Sequence, residues 1–502
     1  MLALRRGRES CYTRPRMDIL FVASEIAPMV KVTGLADVVA SLSKALRLLG
    51  HKVTLALPRY PGIEASGVMI ARRLTPLVLT AGGERIEVTV FDGRLGSGVE
   101  LVLFDVPGLF SEGPSRLADE DEGDLAAARR YGVFALSVIE LIRQRALAGT
   151  PFEVVHAHDW PSALVPYLLR DREGDARPAS VLTLHDLARQ GLFPREALRA
   201  IGLGDEHFQP SLLEFYGKVS FLKAGLLAAD AITTVSPTYA REILTPEHGE
   251  RLDGVLATRA KENEIVGIVN GIDYAVYNPM TDPALPARYD AEDTTNKARC
   301  KSALLAELGL PIDIERPLVV SVGRISPQKG GDLLATSLPK LLKCDATVVV
   351  AGSGDRAIVA KLEAAVGKAL DRARFLGDAG EPLVHRLFAA ADIVVVPSRY
   401  EPCGLVQLYA QRYGALPVAY RTGGLLDTIV DCDAALETGT GFLFDKPLST
   451  HLVGAVQRAL AAMTSPRWPA LRRRVMRLDL GWDRPARRYV HVYRSAVAKR
   501  LA

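Results

Sequence analysis

Two cations, Arg324 and Lys329, share the loop VGRISPQKGGD just ahead of a stretch with helical period. Cations beside the unpaired amides of a helix N-terminus make an anion site, in which Arg grips two phosphate oxygens and Lys acts as a point charge. A pair of solvent-exposed cations has the same spacing, but Gly330 and Gly331 shift the reading toward a ligand that approaches the backbone closely. In the first half, SEIAPMVKVTGLADV sets Lys31 and Gly34 before a helix that starts near Ala36, so Lys31 reaches a phosphate from the opposite wall. PSRYEPCGLVQLYA places Glu401 directly after a buried strand with Cys403 and Gly404 opening the next helix, and RTGGLLDT follows with Thr422, Gly423 and Gly424. A carboxylate at the carboxyl end of a strand faces a cleft; an acid that complements a helix dipole has the same position in sequence. Two strands of the first half end in VVHAHDW (Asp159, Trp160) and LTLHDLARQG (His185, Asp186), and within the first of these His156 and His158 read as structural.

The elements that position these residues follow from hydrophobic period. An apolar run at 19–23, an amphipathic stretch at 36–49 and a second run at 53–57 form a βαβ opening, and 317–322, 333–342 and 347–351 repeat it. A further echo pairs LLAADAITTVSPTYAREI with LFAAADIVVVPSRYEPCGL, each a helix end, an Ala-Ala-Asp turn, a buried strand and a Ser loop. The fold class is therefore α/β, with two doubly wound sheets in tandem whose strand-end loops face a shared cleft. Residues 1–16 read as a disordered tail or an over-called start, 17–276 as the first domain and 277–480 as the second. The polar segment 282–296 reads as linker and loop, and the acidic cluster Asp119, Glu120, Asp121, Glu122 and Asp124 as a solvated loop.

Composition narrows the function classes. A chain of 502 residues that is 48% hydrophobic and 24% charged is a folded protein of at least two domains. With 62 Lys+Arg against 58 Asp+Glu, and no long basic run, it lacks the footprint of a nucleic-acid binder. No stretch approaches the roughly 18 apolar residues of a membrane span, and the five scattered cysteines form no disulfide framework or zinc pattern, which points to a reducing, cytoplasmic setting. GSGDRA at 352–357 matches a dinucleotide fingerprint but follows the second strand of its domain, where the match is weak. Asp431 and Asp433 lie beyond a helix and read as a turn, so no metal site is expected.

Taken together, SEIAPMVKVTGLADV, HAHDW, EFYGKVSFLKAGLLAADAITTVSPTYAREI, VNGID, GRISPQKG, PSRYEPCGL, RTGGLLDT and a terminal pattern of Trp482, Ala486, Tyr489 and Tyr493 resemble the bacterial glycogen synthases of glycosyltransferase family 5 over most of 18–493. The resemblance implies a GT-B fold and retaining transfer of glucose from ADP-glucose to the non-reducing end of an α-1,4-glucan, with no cofactor beyond that donor. It implies that Lys31 binds the nucleotide diphosphate, that Arg324 and Lys329 hold the departing phosphate, and that Glu401 and the amides of Cys403 and Gly404 face the sugar. His185 and Asp159 would line the glucose pocket, Asn270 would stand near the reacting centre, and the helix of 481–502 would cross back to the first domain. The chain departs from the family pattern at Thr33, where the family has Gly, and at Pro161, Asp186, Arg189 and Val406, while 121–130 replaces an aromatic-acidic segment. If the loop at Thr33 needs a positive φ, a β-branched residue there strains it and weakens donor binding. A related transferase with another donor or acceptor, or a paralogue with weakened catalysis, is the alternative these departures leave.

Overall fold

The computed structural model describes residues 16–111, 124–173, 177–262 and 265–501. The N-terminal tail up to residue 15 and the acidic cluster Asp119 to Glu122 lie outside the described residues; Asp124, the last of that cluster, caps the helix Leu125–Leu147 by accepting from the Ala126 amide at 2.8 Å.

The first sheet is built around the strand Asp18–Val22, buried on both faces as its apolar run requires. Lys52–Pro58 and then Glu100–Asp105 pair parallel on one side; Val154–His158, Ala179–Leu184, Ala231–Thr234 and Val266–Gly267 follow on the other. Glu84–Arg94 adds antiparallel beyond Glu100–Asp105 and carries Ile70–Arg72 and Leu77–Ala81. The second sheet is wholly parallel, in the order Ala373–Leu376, Thr347–Ala351, Leu318–Val322, Ile393–Val396, Leu416–Tyr420, Phe442–Phe444. In both sheets the chain order reverses beside the first strand, between Asp18–Val22 and Val154–His158 and between Leu318–Val322 and Ile393–Val396. At such a reversal the loops that leave neighbouring strands diverge to opposite faces and open a crevice. The four loops concerned carry Lys31, Asp159, Arg324 with Lys329, and Glu401.

Helix boundaries differ from the periodicity in an informative way. The helix expected from Ala36 begins at Gly34, because Thr33 caps it by accepting from the Leu35 amide at 3.2 Å. Thr33 has φ −129°, ordinary extended backbone, so the expected strain at this position is absent. The two Ala-Ala-Asp turns share a local role but not a place in the sheets. Asp230 accepts from the Ser180 amide at 2.7 Å and Asp392 from the Leu318 amide at 3.0 Å, each tying down the start of a neighbouring strand. Yet Ala231–Thr234 lies next to the sheet edge while Ile393–Val396 borders the reversal. The segment 282–296 is irregular as expected, but it is anchored: Asp282 is buried and binds His385 at 2.7 Å and the Tyr413 hydroxyl.

The helix Asp483–Leu501 buries Ala486, Tyr489 and Tyr493 in the apolar core of the first sheet. Tyr493 bonds the Nδ1 of His156 at 2.8 Å, so the C-terminus is fastened beneath the strand that ends in Asp159. No helix of the described residues is long and apolar enough to cross a membrane.

Candidate active site

The loops of both sheets enclose one cavity of about 740 Å³. Among the described residues, Lys31, Gly34, Asp159, His185 and Asn270 line its first-domain wall, and Arg324, Lys329, Glu401, Cys403 and Gly404 the other. Thr422 and Gly423 do not line it. The amide of Gly423 donates to Glu242 of the first domain at 3.0 Å, and a Cβ there would collide with the Glu401 carbonyl, so this loop backs Glu401 and contributes no surface to the cavity.

Glu401 is buried and fully engaged. Lys329 Nζ donates to its two oxygens at 2.7 and 2.8 Å, and Ser398 Oγ donates at 2.8 Å. Lys329 is thus aimed by a carboxylate, a partnership that spacing did not reveal. Arg324 is exposed to the cavity and donates to the Gln328 side chain at 3.2 Å, with no carboxylate within salt-bridge distance among the described residues. Gly330 serves a purpose other than the expected one. It has φ +71°, and a Cβ on it would strike the Pro397 carbonyl; it lets the Arg324–Lys329 loop pack on the loop that carries Glu401, rather than making room for a ligand. The dinucleotide-like glycines act similarly, since side chains at Gly352 and Gly354 would collide with the carbonyls of Gly323 and Ile325. Gln407 donates to the carbonyls of Cys403 and Gly404 at 2.9 Å each. Because the peptide is trans and planar, the Gly404 amide therefore points away from the helix Val406–Arg412. Burial pushes the Cys403 thiol up to about 12, so it remains a thiol.

On the facing wall Lys31 binds Asp37 at 2.9 Å and, across the cleft, Glu381 at 2.8 Å. Burial lowers the Lys31 pKa, but Asp37, Tyr277 and Glu381 outweigh it and hold the ammonium charged. Glu381 feels the reverse: burial favours its neutral acid, and Lys31 overrides this and draws the carboxyl below its usual range. The loop that carries Lys31 hangs on Glu25, whose carboxyl accepts from the amides of Val32 at 2.7 Å and Thr33 at 2.9 Å and from the Thr33 hydroxyl. Burial raises the pKa of Glu25. The strand-end rule that singled out Glu401 applies to Glu25 as well; Glu381 opens the helix Glu381–Ala390 as an ordinary first-turn acid, and its meeting with Lys31 joins residues far apart in the chain.

Asp159 occupies the left-handed region at φ 54°, tolerable for a short polar side chain, and accepts from the His185 amide at 2.6 Å and the Asp186 amide at 3.3 Å. Burial raises its pKa to about 8 and lowers that of His185 to about 3, so both are neutral at pH 7. The Nε2 of His185 meets Nδ1 of His158 at 3.1 Å; the latter, read as structural, thus orients a cavity residue. Asn270 is buried, and its Oδ1 has no protein partner. Thr33, Pro161, Asp186, Arg189 and Val406 all line the cavity, so every one of these departures touches the candidate site. Asp431 binds Arg458 at 3.0 Å, and Asp433 caps the amides of Glu437 and Thr438, both outside the cavity.

Comparison with known proteins places this geometry. Residues 18–258 match the model of the starch synthase catalytic domain and 309–467 that of the glycosyl transferases group 1. The chain is 41% identical to glycogen synthase 1 of Methylococcus capsulatus over 488 residues (96% of this chain, 97% of the relative). It is 42% identical to the glycogen synthase of Thioalkalivibrio sulfidiphilus over 490 residues (96% and 100%). The catalytic domain of Arabidopsis thaliana starch synthase IV, solved with ADP and acarbose, superimposes with a TM-score of 0.88 at 30% identity, covering 96% of this chain and all of that one. Sucrose-phosphate synthase from Thermosynechococcus elongatus, at 18% identity and a TM-score of 0.59, shares the GT-B fold.

Proposed function

The chain belongs to the glycogen and starch synthase family of glycosyltransferases, and we propose that it transfers glucose from ADP-glucose to the non-reducing end of an α-1,4-glucan with retention at the anomeric carbon. The observation that carries the reading is the placement of Arg324 and Lys329 on one wall of the cleft opposite Lys31 on the other. In the reaction the bond from the sugar C1 to the diphosphate oxygen breaks and its electron pair leaves with ADP. The acceptor O4 forms the new bond to C1 on the same face, and its proton passes to the departing phosphate oxygen. Positive charge grows on the sugar and negative charge on the diphosphate, so preorganised cations aimed at the phosphate lower the barrier.

Each residue has a part in that scheme. Arg324 and Lys329 hold the leaving phosphate, with Lys329 kept in place by Glu401. Lys31 reaches the diphosphate from the first domain once the donor displaces Glu381. Glu401 and the Gly404 amide face the sugar, Asp159 and His185 close the glucose pocket as neutral groups, and the unsatisfied Asn270 oxygen awaits a hydroxyl donor. In this scheme protein cations neutralise the leaving group and the only small molecule required is the donor itself. The described cysteines Cys300, Cys344, Cys403 and Cys432 are unpaired, which supports a reducing cytoplasmic setting.

A second reading, a family member with another sugar nucleotide or acceptor, is favoured by one fact: Thr33, Pro161, Asp186, Arg189 and Val406 all face the cavity. Incubation with radiolabelled ADP-glucose or UDP-glucose and glycogen separates the two. Label from ADP-glucose entering a polymer that α-glucan hydrolases degrade is the expected result; incorporation from UDP-glucose alone, or none, refutes the first reading.

A further inference from the structure

The terminal helix Asp483–Leu501 carries six Lys or Arg residues against one acid, Asp483, a net charge larger than the +4 of the whole chain. Part of it is answered locally. Arg487 binds Asp483 at 3.1 Å, Arg484 binds Asp479 at 3.1 Å, and Lys499 in the last turn complements the helix dipole. Arg488 and His491 lie mid-helix and exposed, and among the described residues no carboxylate is within salt-bridge distance of either. Arg488 also stands four residues from Arg484, a spacing at which like charges destabilise a helix. The helix therefore presents positive charge that nothing within the described fold neutralises.

That charge borders a second cavity, of about 490 Å³, between the helix and the strands Ala231–Thr234 and Val266–Gly267. The volume lies within the range of small-molecule sites. Arg487, Arg488, His491, Lys499 and the Ser495 hydroxyl supply polar groups, and Ala231, Val266, Val492 and Ala496 supply an apolar floor. The one acid in the lining, Asp230, is already engaged. Arg177 donates to its two oxygens at 2.6 and 2.7 Å, and Ser180 donates its amide at 2.7 Å and its hydroxyl at 2.9 Å. Asp230 and Arg177 are neutral as a unit, so the cavity keeps a cationic wall. It is also separate from the cleft. Ala231 begins a strand and Val266 another, whereas Val235 and Asn270, which follow the far ends of those strands, line the catalytic cavity. The geometry points to a binding site for a small organic phosphate, its phosphoryl groups held by Arg488, His491 and Lys499 and its apolar part seated on the floor. Arg grips two phosphate oxygens, Lys adds a point charge and an imidazole N–H donates in either charge state. A concave site of this size suits a compact anion, where a nucleic-acid duplex would need an extended basic track.

The test is calorimetric titration of the full chain, held in excess ADP, with ATP and separately with tripolyphosphate, in wild type, Arg488→Gln and Lys499→Gln. Wild type should bind one ATP, and each substitution should raise its Kd about tenfold or more. Tripolyphosphate, which leaves the floor empty, should bind at the same site several-fold more weakly. Both substitutions are on the surface, so unfolding temperature without ligand and transfer activity should stay at wild-type values. Binding in the cleft would be insensitive to Arg488 and Lys499, so the outcome does not depend on which sugar nucleotide the cleft uses. Absence of saturable binding, or an ATP affinity unchanged in both variants, would overturn the site. Equal affinities for ATP and tripolyphosphate would overturn the seating of an apolar part. Tighter binding of a DNA duplex that grows with duplex length would assign the basic face to nucleic acid and overturn the small-ligand reading.

Discussion

Replacing Thr33 by glycine brings the Lys31 loop to the family pattern, and the structure predicts that it harms the enzyme. Thr33 sits at φ −129° and has no strain to release. Its hydroxyl both donates to buried Glu25 and accepts from the Leu35 amide. Loss of a hydrogen bond to an acidic group costs about 1.5–3 kcal/mol, the change from a Thr to a Gly cap a few tenths more, and the added freedom of glycine about 0.5–1 kcal/mol. The sum, roughly 2–4 kcal/mol, corresponds to a fall in unfolding temperature of about 4–16 °C for a domain of this size. Because Glu25 also holds the amides that precede the helix, Lys31 loses its fixed position, and kcat/KM for the donor should drop about tenfold or less. Thr33→Ser, which keeps the hydroxyl, should retain most of both. Thermal unfolding with donor kinetics of wild type, Thr33→Gly and Thr33→Ser is the assay. A Thr33→Gly enzyme as stable as wild type and better with its donor would refute the capping account and reinstate strain at this loop.

Alanine at Arg324 or Lys329 should lower kcat about 10²–10³-fold, as expected for charges that act chiefly in the transition state, and steady-state kinetics with wild-type values for both would remove the phosphate clamp. Activity should survive a chelator; loss in EDTA that Mg²⁺ or Mn²⁺ reverses would transfer the neutralising role to a metal. Asp159, with a pKa of about 8 in the folded protein, keeps a proton that the unfolded chain releases near the ordinary carboxylate value, so its contribution to stability falls as pH rises from about 4 through about 8. Denaturant titrations should therefore show Asp159→Asn gaining on wild type as pH is raised across that window, and a pH-independent difference would show that burial does not hold the proton.

The paired βαβ openings, the strand-end carboxylates and the cation loop at Arg324 are legible in the sequence because each is a local event. A five-residue apolar run, a helix period or a loop between them is encoded by neighbouring residues, and for the same reason the family motifs survive as contiguous words. Local patterns also mislead where one residue type has two uses. Gly330, Gly352 and Gly354 look like ligand cradles, yet in the fold they permit loops to touch; Thr33 looks like an obstruction and is a cap.

What the tertiary structure alone decided are the contacts whose partners lie far apart in the chain. The reversal of strand order beside Asp18–Val22 and Leu318–Val322 is a property of sheet assembly, and it gathers Lys31, Asp159, Arg324 and Glu401 at one crevice. Lys329 finds Glu401 only when neighbouring strands of the second sheet pair, Lys31 finds Glu381 only when the two domains pack, and Tyr493 finds His156 only when the terminal helix returns to the first sheet. The protonation states follow the same division. The sequence names Asp159 and His185 as titratable groups, but burial, which no single segment encodes, makes both neutral at pH 7.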